Sequence, residues 1–221
     1  MAFACPPVTG ETSTFNSSFF NQFLSSPLDV TWQILPSFSN RNYALRNEIV
    51  VRLAGEKEEL NRSRETEESN LRAACGLGFC PLKILYFDSS NGLMVTKFLD
   101  RSKFLTRDRL REFELSCLAS RLLKKIHQSS LPFTNMFSPD CRLKDYYQKL
   151  ELSRLFISDE LKDLVQLVLS QFQEVESTLF LRVPCHNDPS PENFFLAGSS
   201  DLSLIDWEFS GLGDPAWDIS H

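Results

Sequence analysis

One stretch constrains this chain more than any other: Cys185-His186-Asn187-Asp188-Pro189-Ser190-Pro191-Glu192-Asn193, followed by Leu204-Ile205-Asp206-Trp207-Glu208. Between its halves, Phe194 to Leu196 and Leu202 to Ile205 read as short strands joined by Gly198-Ser199-Ser200-Asp201. The loop holds Asp188 near Asn193, five residues on, and the hairpin turns Asp206 back toward both. This set of groups suits phosphoryl transfer. A carboxylate accepts or orients the proton of an attacking hydroxyl, and further oxygen ligands hold the magnesium that neutralises phosphate charge. A capped surface loop of ordinary turn residues is the bland alternative, and the three-part spacing weighs against it.

The rest of the chain supplies two kinds of scaffold. Trp32 to Leu35, Tyr43 to Leu45 and Glu48 to Leu53 read as strands, with Arg46-Asn47 as a turn between the last two. Leu60 to Cys75 reads as a charged helix ending at Gly76, and Leu82 to Phe87 and Leu93 to Phe98 as a strand pair hinged on Ser90-Asn91-Gly92. Strands, one helix and a hairpin predict an antiparallel sheet with a helix against it. Thr106 to Gln128 then reads as an amphipathic helix capped by Thr106, with Leu110, Phe113, Cys117, Leu118, Leu122 and Ile126 at three- and four-residue steps. Ser158 to Val175 is a second, capped by Ser158, with Asp159 and Glu160 where negative charge suits the helix dipole. Leu131 to Asp145 reads as loop. The expected organisation is a loose segment over 1–14, rich in Pro, Ser and Thr, a sheet-bearing lobe over 15–99 and a mainly helical lobe over 100–221.

Composition narrows the function class. With 42% hydrophobic and 24% charged residues, the 221-residue chain belongs among globular proteins able to bury a sizeable core. The 19 Phe residues are scattered through apolar runs and read as core filler. A net charge of -6 argues against nucleic acid as main partner, because phosphate backbones are bound by clustered Lys and Arg. No apolar run approaches the length of a membrane span, Met1 to Ser13 lacks the basic start of a secretory signal, and the six cysteines form no C-x-x-C pair. The expectation is a cytoplasmic protein with reduced thiols and no nucleic-acid or membrane partner.

The motif resembles the catalytic loop of protein kinases and, more closely, that of choline kinases and aminoglycoside phosphotransferases, the bacterial choline kinase branch above all. The similarity runs through His186-Asn187-Asp188 to Asn193, Ile205-Asp206-Trp207-Glu208-Phe209-Ser210-Gly211, and Gly213-Asp214-Pro215-Ala216-Trp217-Asp218. It implies an α+β, protein-kinase-like two-lobed fold, with ATP and Mg2+ as cofactors and a small alcohol as acceptor. Residue by residue, it implies that Asp188 orients or deprotonates the acceptor hydroxyl and that Asn193 and Asp206 hold magnesium. It further implies that His186 braces the loop, that Asp218 fastens it from below, and that Glu208 neighbours substrate or metal. Ser190 stands where protein kinases usually carry Lys, and Asp206 to Asp218 is far shorter than their activation segment; both favour a small acceptor.

In the first lobe, Ile49-Val50-Val51-Arg52-Leu53-Ala54-Gly55 resembles the strand whose basic residue contacts nucleotide phosphates, here Arg52. Leu60-Asn61-Arg62-Ser63-Arg64-Glu65 resembles the family's Asn-Arg-x-x-Glu segment, which implies that Glu65 pairs with Arg52; Glu68, one turn on, is the alternative. Lys97-Phe98-Leu99 falls where the family's hinge meets adenine. The family pattern is departed from twice. Pro36 to Tyr43 contains no glycine where a nucleotide loop is expected, and relatives continue past the position of His221 through helices that complete the acceptor pocket. The expected activity is phosphorylation of choline or a related amino alcohol. Thiamine, ethanolamine and aminoglycosides stay open as acceptors, and a non-catalytic nucleotide-binding or scaffolding remnant is the rival from another class.

Overall fold

The structure, a computed structural model, describes residues 17–25, 32–35, 40–54, 63–153, 156–176 and 181–220. The expected loose segment over 1–14, the stretch Pro36 to Ser39 and the residues Leu60 to Arg62 lie outside the described residues. Two units are distinguished, one of residues 1–56 and 83–100, the other of 57–82 and 101–221.

In the first unit a short helix, α1 (Ser17–Asn21), precedes five strands: β1 (Trp32–Leu35), β2 (Arg41–Leu45), β3 (Ile49–Leu53), β4 (Ile84–Asp88) and β5 (Leu93–Lys97). All pair antiparallel, in the order β1-β2-β3-β5-β4. Every expected strand is present, with slightly shifted ends. Side chains alternate between faces along a strand, so the register sorts the residues. Tyr43 faces Val51, which faces Val95, and Leu45 faces Ile49. That face carries the core: Leu45, Ile49, Val51, Leu93 and Val95, closed by Phe20 of α1. On the other face Arg52 lies opposite both Asn42 and Met94, and Phe87 lies opposite Met94. Arg52 is buried there with its guanidinium 5.5 Å from the centroid of the Phe87 ring, a cation–π contact.

Turns fix these strands. Between β4 and β5, Asp88 accepts bonds from the Ser90 N–H, the Ser90 hydroxyl and the Asn91 amide, and Gly92 takes the left-handed φ of 71° that closes the loop. Between β2 and β3, the Glu48 N–H reaches the Leu45 carbonyl at 2.9 Å, and the two central residues, Arg46 and Asn47, have φ of 54° and 56°. This is the primed hairpin geometry that matches strand twist. Asn enters it readily, whereas Arg46 holds it at a steric cost.

In the second unit come α2 (Arg64–Gly76), α3 (Arg107–Leu110), α4 (Phe113–His127), α5 (Pro139–Leu152), α6 (Asp159–Glu176) and α7 (Pro215–Ser220), with two hairpins between α6 and α7: β6 (Val183–Cys185) paired with β9 (Gly211–Gly213), and β7 (Phe194–Leu196) paired with β8 (Leu202–Leu204). Helix α4 buries Leu115, Ala119, Leu122, Leu123 and Ile126 and packs on β6, β8 and α7. Of the expected stripe only Leu122 and Ile126 are buried; Leu110, Cys117 and Leu118 are half-buried, and Phe113 stands exposed, because the break after α3 resets the helix face. The expected helix over Thr106 to Gln128 is broken in two. Thr106 caps α3 through the Arg109 N–H, but Glu112 adopts extended φ and ψ, and the Ser116 hydroxyl turns back onto the Leu110 carbonyl. The expected loop over Leu131 to Asp145 holds the start of α5 instead, entered through Ser138 with Pro139 at a first-turn position, where its missing N–H costs nothing. Helix α6 starts as expected, with the Ser158 hydroxyl accepting the Leu161 N–H.

Residues 63–82, counted with the first lobe in the sequence expectation, pack with the helical unit. Asn70 of α2 explains this: its amide donates to the Asn135 side chain at 2.9 Å and to the Ser210 carbonyl at 3.0 Å, while the Leu204 N–H bonds the Phe79 carbonyl. Gly211 is required where these meet, because a β-carbon there would lie 2.5 Å from Nδ2 of Asn135. Among the described residues, Cys75, Cys80, Cys117, Cys141 and Cys185 are free thiols, and no helix is long and apolar enough to cross a membrane.

The double substitution Arg46→Asn with Asn47→Gly places the residue pair preferred by this turn and should stabilise the protein by about 1 kcal/mol. Urea unfolding checks it; an unmoved or lower midpoint would mean that the left-handed backbone at Arg46 carries no strain.

Candidate active site

Strand β6 ends at Cys185, and the next two residues are fastened from beneath. The carboxylate of Asp218, on α7 and fully buried, accepts the His186 N–H at 3.0 Å and the Asn187 N–H at 2.6 Å. Its Oδ2 also meets Nε2 of His127, at the end of α4, at 2.8 Å. Asn187 takes a left-handed φ of 66° and secures the bend by donating its amide to the Phe209 carbonyl at 3.0 Å, while Nε1 of Trp217 donates to the Asn187 carbonyl. Asn is among the few residues that enter this conformation cheaply.

His186 then joins the loop to the far hairpin. Nε2–H donates to the Ile205 carbonyl at 2.9 Å and Nδ1 accepts the Asp188 N–H at 3.3 Å. Both nitrogens are thus committed in the neutral tautomer. Burial, the dominant influence, holds the pKa of His186 below the ordinary imidazole value despite the nearby charge of Asp218, which fits a brace rather than a proton carrier. Its ring packs edge-on to Trp207 with centroids 4.8 Å apart, and the Trp207 indole donates to the Leu204 carbonyl.

The loop presents Asp188, half-buried. Its Oδ1 accepts the Ser190 hydroxyl at 2.6 Å, and its Oδ2 lies 3.3 Å from Nδ2 of Asn193, which also donates to the Asp188 carbonyl at 2.9 Å. With its nitrogen so used, Asn193 keeps its side-chain oxygen for another partner. The Ile205 N–H extends the β7–β8 ladder by bonding the Asn193 carbonyl at 3.0 Å, so Asn193 and the next residue, Asp206, meet at the open end of one hairpin. Asp206 is left-handed, with φ 65° and ψ 62°, and opens a 3-10 turn over Trp207–Phe209 that the Ser210 hydroxyl closes on the Trp207 carbonyl. A carboxylate and an amide oxygen are hard donors of the kind magnesium takes, and Asn193 and Asp206 fit that ion. Among the described residues, ligand atoms of His127, Cys185 and Asp218 also come within 4.8 Å of one another. Burial, with Asp218 beside it, pushes the Cys185 thiol well up, and the Asp218 oxygens serve the two amides and His127, so this cluster is a lock, not a metal centre.

The expected residues thus fall into two sets. Asp188, Asn193 and Asp206 come together in the helical unit, with His186 and Asp218 beneath them. Arg52 is buried on β3 of the sheet unit, where Lys97 ends β5. The Lys97 N–H goes to the Lys83 carbonyl and the Phe98 N–H to the Glu48 carbonyl, both at 3.0 Å. Glu65 stands exposed in the first turn of α2, accepting the Ser63 hydroxyl at 2.8 Å, and Glu68 pairs with Arg72. The carboxylate that α2 buries is Glu67, in an ion pair of 2.7 Å with Arg64. Sequence reasoning weighed Glu65 and Glu68 but passed over Glu67, although Glu67, Asn70, Leu71 and Ala74 share one helical stripe. His127 was missed as well, because a His in a last turn reads as ordinary helix-dipole chemistry.

Comparison with known proteins bears on family and fold. Residues 31–221 match the model of the phosphotransferase enzyme family, APH. Protein LicA of Haemophilus influenzae is 38% identical over 136 residues, 60% of this chain and 39% of that protein; in the strain Rd sequence the same match covers 49%. The match therefore spans less than half the length of these curated relatives. The crystal structure of choline kinase LicA from Streptococcus pneumoniae superposes with a TM-score of 0.75 at 25% identity, covering 92% of this chain and 72% of that one. A LicA structure in complex with AMP gives 0.76 at 24% identity, over 92% and 71% of the two chains. The α+β, kinase-like fold is thereby shown.

Replacing Asp218 with Asn puts an amide where two backbone N–H groups need acceptors, and should destabilise the protein by roughly 2–4 kcal/mol. Urea unfolding measures this, and a loss below the range would show that the loop is held elsewhere.

Proposed function

We propose, on the premise that this chain belongs to the phosphotransferase enzyme family, that it transfers the terminal phosphoryl group of ATP to the hydroxyl of a small amino alcohol of the choline class. The observation that carries the reading is the contact of Asn193 with Asp188 on a loop whose backbone is fixed by a buried carboxylate, with Asp206 one residue past the ladder bond that Ile205 makes to Asn193. Asp188 receives the proton of the acceptor hydroxyl as that oxygen attacks phosphorus. Asn193, through its side-chain oxygen, and Asp206, through its carboxylate, hold Mg2+. When bound, the ion neutralises phosphate charge and fixes the transferring group.

In the sheet unit Arg52 takes nucleotide phosphate oxygens, its guanidinium resting against the Phe87 ring. Glu65, as the partner of Arg52, rests on the family resemblance alone. At Lys97-Phe98-Leu99 adenine is met through backbone groups. The N–H groups of Lys97 and Phe98 are already donated within the unit, so Leu99 supplies the donor. Choline is favoured because the solved relative at 25% identity is a choline kinase and LicA of H. influenzae shares 38% over the matched residues. A small acceptor of this kind and a cytoplasmic setting complete the reading.

Magnesium-dependent release of ADP, measured against choline, ethanolamine, thiamine and an aminoglycoside, tests the proposal; turnover with none of them sinks it. Asp188→Ala should lower turnover roughly hundred- to ten-thousandfold while leaving nucleotide affinity nearly unchanged, and wild-type turnover in the variant would remove Asp188 from the mechanism. Asp206→Asn should weaken ATP binding in magnesium about tenfold or more, with little change in its absence. Calorimetric titration with and without the ion decides this, and an unaltered magnesium dependence would place the metal elsewhere.

A further inference from the structure

We propose that Ser190 is a positioning residue for the transfer step, holding the Asp188 carboxylate in the one orientation from which it meets the acceptor hydroxyl. The inference rests on the proposed role of Asp188. Its observations are local. The Ser190 hydroxyl donates to Oδ1 of Asp188 at 2.6 Å, the shortest contact that carboxylate makes, whereas Asn193 reaches Oδ2 at 3.3 Å. A charge-assisted O–H bond of that length is among the stronger ones available to a side chain. It is the bond that determines which way the carboxyl plane faces.

The sequence prepares the donor. Ser190 stands between Pro189 and Pro191, and a residue before proline is kept out of the helical region. Ser190 accordingly has φ -60° and ψ 148°, and its carbonyl accepts the Asn193 N–H at 2.9 Å. One residue therefore ties both ends of the motif: its hydroxyl aims Asp188, and its backbone anchors the short turn that carries Asn193. With Oδ1 held by Ser190 and Oδ2 only loosely engaged, Oδ2 is the oxygen left to take the proton; a carboxylate oxygen has two lone pairs, so the long Asn193 contact leaves one free. Loss of the hydroxyl leaves the backbone intact and lets the carboxylate rotate.

The test compares wild type, Ser190→Ala and Ser190→Thr in ADP release with the preferred acceptor, alongside crystal structures of wild type and Ser190→Ala. The alanine variant should lose about ten- to hundredfold in kcat with the KM for ATP within about twofold, and the threonine variant should recover to within about threefold of wild type. Wild-type kcat in Ser190→Ala, or a threonine variant as impaired as alanine, overturns the proposal. So does a kcat loss accompanied by an equal rise in the KM for ATP and a lowered melting temperature. If wild type transfers phosphate to no acceptor, the functional reading fails by itself, and the crystal structures still decide this one: a rotated or doubled Asp188 carboxylate in Ser190→Ala supports it, and an unchanged single orientation overturns it.

Discussion

Two consecutive backbone amides, those of His186 and Asn187, point at one carboxylate, and the path of the chain from Cys185 to Asn193 follows from that arrangement. Burying a carboxylate costs several kcal/mol unless its lone pairs are used. Asp218 uses them on two N–H groups and His127, each a charge-assisted bond worth roughly 1.5–3 kcal/mol. The anchor is thus stable only when all three donors are in place. Because they come from α4 and from the loop itself, helix packing and loop conformation are secured by the same atoms.

Above the anchor, the two acidic groups of the motif are placed by unlike means. Asp188 follows a left-handed Asn187, whereas Asp206 is left-handed itself. Such backbone costs on the order of 1 kcal/mol or more per residue and persists where the surroundings over-determine it. Here they do. Trp217 and Phe209 hold Asn187 from two sides, and the Ile205 carbonyl, taken by His186, holds the peptide before Asp206. The His186 ring, neutral and buried, is the mechanical link between the two bends.

The motif and the strands were legible because their signals are short-range. Spacing of five residues in a loop, the short apolar run Ile49-Val50-Val51 of β3 and an Asn-Gly turn all express themselves within a few residues of where they are written. What escaped depends on distant partners. The break between α3 and α4 is made by Glu112 and Ser116, neither of which is a helix breaker in sequence. Helix α5 buries only Asp140, so its polar residues conceal it. His127 meets Asp218 from 91 residues away, and no local pattern announces such a bond. Glu67 is the contrary case, a position readable from its own helical stripe once burial is given precedence over motif spacing.

The β7–β8 hairpin sets Asn193 and Asp206 at its open end, while its closed end, the tip from Ala197 to Asp201, points the other way along the same ladder. The separation of the two proposed metal ligands is thus gauged by strand register and is indifferent to the length of the tip. A β-carbon at Gly198 would meet nothing within 4 Å. Evolution or engineering is therefore free to lengthen, shorten or decorate that tip, even to graft a reporter sequence into it, while the chemistry at the opposite end keeps its spacing.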